Sequence, residues 1–250
     1  VEHPSVSCQA QGDTLSLSQR PRTEVKDAWV ELPAAVFGSA SDSDVASYGA
    51  AEGLRRAFLR YLDTIRVKPS DMHVHYNDWW TAPIPSSEKF VLGNIAALKR
   101  GLYDLTGFFF DAYAMDMRWS DPNTVWEIDT KNFPEGFDRV RDALAAVGCR
   151  PGLWVSPSSL YPPALDNKWL ASAGYEIIPA IADKWPKMDA ACLTLGGRYQ
   201  KAFKEALVKH ARAANLAHVK FDGFQIQCEA TNHGHRPGLE SQLPIAEGLM

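Results

Sequence analysis

No apolar run in the chain approaches the ~20 residues that cross a bilayer as a helix, and the N-terminus lacks a basic segment followed by an apolar core. A membrane partner and a signal peptide are therefore not expected. Basic charge is not in excess either: 26 Lys and Arg stand against 30 Asp and Glu, with no basic run interleaved with aromatics, so a nucleic-acid surface is not expected. Cysteine is sparse. Cys8, Cys149, Cys192 and Cys228 are scattered and lack the paired spacing of a zinc site or a disulfide framework, which leaves the compartment, cytoplasmic or exported, open. No glycine-rich phosphate loop follows the first strand of the βα pattern described below, which removes the usual support for a dinucleotide-binding fold. The chain opens on Val1-Glu2-His3-Pro4 without an initiator Met and stops inside the apolar stretch from Leu243 to Met250, as expected of a fragment.

What is present is the composition of a folded domain: 46% hydrophobic against 22% charged residues lies far from the disordered regime. Aromatics are plentiful. Tyr76, Trp79, Trp80, Trp119, Trp126 and Trp154 are expected near the mouth of a pocket, where ring faces stack on the apolar faces of sugars; the competing reading is that they fill a core.

Residues 1 to 66 read as strands, a connector and a bridging helix. Thr14 to Ser18 and Ala28 to Leu32 alternate like strands, a Ser/Asp/Gly-rich connector runs from Gly38 to Gly49, and Leu54, Phe58, Tyr61, Leu62 and Ile65 recur at helical spacing. A domain boundary is expected at Val67-Lys68-Pro69-Ser70. From 67 to 250 short apolar strands alternate with amphipathic helices, the pattern of parallel βα units. Strands are expected at His73 to Tyr76, Gly107 to Asp111, Pro151 to Ser156 and His218 to Asp222, with helical stripes through Val91, Ile95, Leu98, Leu102 and Leu105, through Phe137, Val140, Leu144 and Val147, and through Phe203, Leu207, Ala211 and Ala214. Leu243 to Met250 begins another helix. The pattern predicts an α/β fold, the N-terminal half of a (β/α)₈ barrel with about four units, because each strand finishes in polar groups where barrel enzymes collect their chemistry: Asn77 and Asp78, Asp111, Ser156 and Asp222.

The sharpest constellation is Lys220-Phe221-Asp222-Gly223. Residues two apart in a strand face the same side, so Lys220 and Asp222 share the barrel mouth, and a carboxylate beside an ammonium suits a nucleophile. A structural ion pair is the alternative. Asp111 and Asp116 supply further carboxylates for sugar hydroxyls.

With these residues in order, the segments Tyr76-Asn77-Asp78-Trp79, Phe109-Phe110-Asp111, Val125 to Gly136, Gly152-Leu153-Trp154-Val155 and Val219-Lys220-Phe221-Asp222 together resemble the melibiase-like clan of α-galactosidases. The resemblance runs from about Tyr76 to Asp222 and implies a retaining glycoside hydrolase for α-linked galactosides or related α-glycosides. It implies Asp222 as nucleophile, Lys220 as a sugar-hydroxyl ligand, Asp111 on distal hydroxyls and Trp126 in the pocket wall, and residues 1 to 66 then look like the tail of the β-sandwich domain that precedes the barrel in such enzymes. The residues read on their own add Asn77, Trp79, Asp116 and Trp154 as further substrate-binding positions. The chain departs from the clan at Asp111-Ala112-Tyr113-Ala114, where Asp-Asp-Gly-Trp is usual, and at Gly223 to Glu229.

Retaining hydrolysis needs a second carboxyl group ~5 Å from the nucleophile. In the clan it comes from a later strand, so residues 1 to 250 alone are expected to be inactive unless an internal group, Glu229 or Glu240, serves. Two histidine pairs, His73 with His75 and His233 with His235, invite a metal reading in which the loop pair joins Glu229 or Asp222; the preferred reading has imidazoles lining a polar pocket, no catalytic metal and no cofactor. The partner is then an oligosaccharide or glycoside. A metal-dependent hydrolase and a non-catalytic carbohydrate-binding barrel are the alternatives.

Overall fold

The computed structural model describes residues 6–19, 36, 38–66, 72–81, 87–180 and 187–249. Contacts divide the chain into two compact units, Thr23–His73, and Val1–Arg22 together with Val74–Met250. The alternation noted at Ala28 to Leu32 and the boundary at Val67 to Ser70 lie outside the described residues.

In the smaller unit, α1 (Asp42–Tyr48) and α2 (Ala50–Ile65) form a helical hairpin about Gly49, whose φ of 78° suits glycine. The segment expected as a connector therefore carries a helix. Ser41 caps it by accepting the Asp44 N–H at 3.2 Å, and Asp42 and Asp44 sit in its first turn, where the exposed N–H groups favour negative charge.

In the larger unit, β1 (Val6–Gln11) and β2 (Thr14–Gln19) pair as an antiparallel hairpin. Next come β3 (His75–Asn77), α3 (Glu88–Leu98), a π turn at Lys99–Tyr103, a closing turn α4 (Asp104–Thr106), β4 (Ala112–Met115), α5 (Asp138–Ala145) and β5 (Arg150–Val155). After β5 lie α6 (Asn167–Ser172) and the small antiparallel pair β6 (Ile177–Ile178) and β7 (Ala190–Ala191), a part of the chain that the sequence pattern did not resolve into elements. The chain then runs through α7 (Arg198–Ala213), β8 (His218–Phe221) and α8 (Gln242–Leu249). No helix among the described residues is long and apolar enough to cross a membrane.

Strands β3, β4, β5 and β8 form one parallel sheet in that order. The sheet curls. Laid flat, β3 and β8 would stand about 14 Å apart across three strand spacings, yet the His75 and His218 rings stack at 4.2 Å on its inner face. The inner face allows this because it is built from small residues: Ala112, Ala114 and Gly152 line it. A Cβ at Gly152 would meet the His218 Cβ at 3.0 Å and the Ala114 Cα at 3.2 Å. The alternate residues Tyr113, Met115, Leu153 and Val155 turn outward and are buried with Val91, Ile95, Val140 and Leu144 of α3 and α5. The result is a curled half-barrel of parallel strands, consistent with part of a (β/α)₈ barrel.

One strand is displaced from its expected position. The apolar run Gly107 to Asp111 is not the second strand; Phe108 is 46% exposed and the strand begins at Ala112. Gly107, at φ 71°, ends α4, and the Phe110 ring meets those of Phe108 and Phe109 edge to face. Asp111 thus precedes the strand and Asp116 follows it.

Gly152 has an ordinary backbone conformation, so its substitution reads packing alone. Gly152→Val is expected to lower the stability of the chain by about 1–3 kcal/mol, seen as a reduced urea midpoint, because backbone atoms on both sides block the added carbons. An unchanged midpoint would contradict the tight curl.

Candidate functional site

Parallel strands end together, and their last inward residues converge. Asp116 follows β4, Ser156 follows β5 and Asp222 follows β8, while Lys220 projects inward two residues before Asp222. The Lys220 Nζ lies 3.1 Å from the Asp116 Oδ2 and 4.0 Å from the Asp222 Oδ2. One ammonium therefore bridges carboxylates from strands that are not neighbours. The indole Nε1–H of Trp154, on the strand between them, donates to Asp222 Oδ2 at 3.0 Å. The Asp222 side chain keeps 36% of its surface exposed, whereas that of Asp116 keeps 7%. Of the two, Asp222 is the more accessible carboxylate.

Glycine is required immediately after it. Gly223 has φ 75°, and a Cβ there would stand 2.6 Å from the Tyr161 ring and 2.8 Å from the Ser156 Oγ. Burial raises the Tyr161 hydroxyl above its ordinary pKa, and the negative charge of Asp222 adds to the shift.

Asp78 forms a second, deeper layer. Its Oδ1 accepts the Asp116 N–H at 2.7 Å and its Oδ2 the Tyr113 hydroxyl at 3.4 Å, and Tyr113 in turn accepts from Asn94 Nδ2 at 2.8 Å. Burial, with the Asp116 charge adding to it, pushes the Asp78 carboxyl up to about 7. Asn77 beside it is buried, accepts the Trp79 N–H at 3.2 Å, and has an Nδ2 with no hydrogen-bond partner among the described residues.

Several expected site residues stand elsewhere. Asp111 is exposed at the opposite end of β4 from Asp116, about 16 Å along the strand direction, where its Oδ2 accepts the Val74 N–H at 2.7 Å. A role on the hydroxyls of a sugar bound at the strand ends is therefore corrected: Asp116 is the carboxylate there. Trp126 does not wall a pocket; it is fully buried, and its Nε1–H donates to the Tyr199 hydroxyl at 3.2 Å. His210 binds its carbonyl at 2.7 Å, and its positive φ of 58° is sustained by packing against Trp119 and Trp154. Trp154 is also buried, so it meets Asp222 with its N–H rather than offering a ring face. Trp79 is half-buried and Trp80 is 84% exposed. Glu229 and Glu240 are both exposed, the first accepting from Gln227 at 2.9 Å and the second from Arg236 at 3.4 Å.

The sequence reading treated the cysteines as scattered, and the fold corrects that. Cys192, Cys228, His233 and His235 bring one ligand-type atom each to within 4.8 Å of one another. Cys228, His233 and His235 share one short loop, a spacing the sequence does display, but Cys192 arrives from β7 through tertiary structure alone.

No protein-family model matches the chain, and no curated protein matches it. Solved structures do match in fold. The α-galactosidase AgaB of glycoside hydrolase family 36 from Geobacillus stearothermophilus is 14% identical with a TM-score of 0.56, over 79% of this chain and 28% of that one. The related AgaA from the same organism, in complex with stachyose, is 13% identical with a TM-score of 0.55, over 79% and 29%. The Thermus thermophilus α-galactosidase, in complex with p-nitrophenyl α-D-galactopyranoside, is 16% identical with a TM-score of 0.51, over 79% and 38%. The chain spans between a quarter and two fifths of the length of these structures, and the likeness is one of fold.

Between an unfolded pKa near 4 and a folded value of about 7, Asp78 holds a proton in the native chain that the unfolded chain has released. Stability is therefore expected to fall as pH rises through that window, by up to about 4 kcal/mol, and to level off above it. Asp78→Asn, which keeps an oxygen for the Asp116 N–H, should flatten the slope in urea titrations from pH 4 to 8; an equally steep slope in the variant would assign the dependence to another group.

Proposed function

We propose that this chain carries the nucleophile-bearing part of a retaining glycoside hydrolase that acts on α-linked galactosides or related α-glycosides. The observation that carries the reading is the half-exposed carboxylate of Asp222 at a parallel strand end, oriented by the Trp154 N–H at 3.0 Å and faced by the Lys220 ammonium at 4.0 Å. The fold likeness to family 36 α-galactosidases, some of them bound to galactosides, supports a carbohydrate ligand.

In this reading an Asp222 oxygen attacks the anomeric carbon as the bond to the leaving oxygen breaks, giving a covalent glycosyl ester. The leaving oxygen takes a proton from a second carboxyl group. Water, deprotonated by that same group, then displaces Asp222 and restores it. Trp154 holds the attacking carboxylate in one orientation, and Lys220 and Asp116 read sugar hydroxyls, the ammonium donating and the carboxylate accepting. In this reading Asp116-Met117-Arg118-Trp119, which follows β4, takes the place of the clan's Asp-Asp-Gly-Trp, five residues beyond the segment that the sequence invites for comparison.

Asp116 does not suit the acid role, because both its oxygens already accept: Oδ1 from the Met117 N–H at 2.9 Å and Oδ2 from Lys220. The proton donor is proposed to lie beyond Met250. A mechanism-based α-galactoside inactivator should label the full-length protein once, on the peptide that contains Asp222, and Asp222→Asn should abolish the adduct in intact-mass measurement. Labelling that persists in the variant would remove Asp222 as nucleophile.

A further inference from the structure

We infer that Cys192, Cys228, His233 and His235 form a structural zinc site that fastens the loop after Asp222 to the segment after β7. The four ligands come from two parts of the chain that are far apart in sequence. Cys192 follows directly on β7 and is held there by its N–H, which donates to the Glu176 carbonyl at 2.9 Å. Cys228 lies beyond β8. Its N–H donates to the Ser241 hydroxyl at 2.8 Å and its carbonyl accepts the Gly238 N–H at 2.9 Å, so the loop that carries His233 and His235 is closed at both ends around the cluster.

The distances are those of a tetrahedron. With Zn–S near 2.3 Å and Zn–N near 2.0 Å, sulfur and nitrogen on adjacent corners stand ~3.5 Å apart. Cys228 Sγ is 3.3 Å from His233 Nδ1, and Cys192 Sγ is 3.8 Å from His235 Nε2. All four donor atoms lie within 4.8 Å of one another, so closing on an ion contracts the longest edge by about 1 Å. The tautomer is also set. His235 Nδ1–H donates to the Arg236 carbonyl at 3.0 Å, which turns the Nε2 lone pair toward Cys192, the usual outer hydrogen bond of a metal-bound imidazole. Cys192, Cys228 and His233 are buried and His235 is half-buried, so water does not compete well for the site.

Two thiolates with two imidazoles are a soft, tetrahedral donor set, which favours zinc over calcium or magnesium. Four protein ligands leave no open coordination position, so the ion does not activate water and the site lends nothing to a metal-dependent hydrolase. Its effect is mechanical. Residues 223–238 run from the strand-end carboxylate to the end of this loop, and a link at 228, 233 and 235 to residue 192 holds that loop in its folded course, the binding free energy adding to that of folding. The inference does not depend on the hydrolase reading, since a chain with no glycosidase activity would still bind the ion.

The test is elemental analysis of the chain, purified without chelator or a histidine tag and dialysed against zinc, together with zinc K-edge absorption spectroscopy. One tightly held zinc per chain is expected, with two sulfur neighbours near 2.3 Å and two nitrogen neighbours near 2.0 Å. Cys192→Ser and Cys228→Ser should each cut the zinc retained after dialysis by about tenfold or more. The absorption spectrum of the unsubstituted chain decides the question if those variants do not fold. Folded chain that retains no zinc, a shell of oxygen and nitrogen alone, or a Cys192–Cys228 disulfide in the native protein would each overturn the inference.

Discussion

The site depends on the curl of a four-stranded parallel sheet tight enough for side chains on β8 to reach β4 past the strand between them. A single ammonium records it: Lys220, on β8, lies 3.1 Å from the Asp116 carboxylate at the end of β4 and 4.0 Å from Asp222 on its own strand. The curl is a packing event before it is an electrostatic one. Ala112, Ala114 and Gly152 keep side-chain volume off the two middle strands where His75 and His218 stack across them, and the large residues Tyr113, Met115 and Leu153 are sent outward to be buried by helices. Each such buried side chain contributes on the order of 2–3 kcal/mol, which is what holds the outer layer closed around the sheet.

Once the sheet is curled, the same side chains serve core and site together. Trp154 is packed against Trp126 on one side and Tyr161 on the other, yet its N–H ends on the Asp222 carboxylate. A tryptophan locked by its neighbours holds a hydrogen-bond donor more firmly than a surface group does, and the carboxylate inherits that rigidity. Beneath Asp116, the chain of Asn94, Tyr113 and Asp78 fixes the backbone at the strand end from which that carboxylate projects.

Much of the fold was legible in the sequence. The helical stripes and the strands at 150–155 and 218–221 follow from apolar periodicity, and Lys220 with Asp222 follows from the two-residue alternation of a strand. The second strand was not, for a specific reason. Phe108-Phe109-Phe110 is the most apolar stretch nearby, but the true strand has alanines inside and Tyr113 and Met115 outside, an alternation of size rather than of polarity. That shift exchanges Asp111 for Asp116. Trp126 was misread because a tryptophan at a loop resembles a pocket wall in sequence, whereas here a left-handed backbone turns it into the core. The cysteine and histidine cluster needed the fold, because nothing in the spacing announces that β7 delivers Cys192 to the loop beyond β8.

The measurement closest to the central claim is a crystal structure of the chain with 1-deoxygalactonojirimycin, the inhibitor found in one of the fold relatives. The account expects the ring in the strand-end opening, with an Asp222 oxygen within about 3.5 Å of the anomeric position and Lys220 and Asp116 both on ring hydroxyls. An inhibitor bound away from Asp222, or an Asp116 to Lys220 pair that parts because the strands are not curled together, would contradict it.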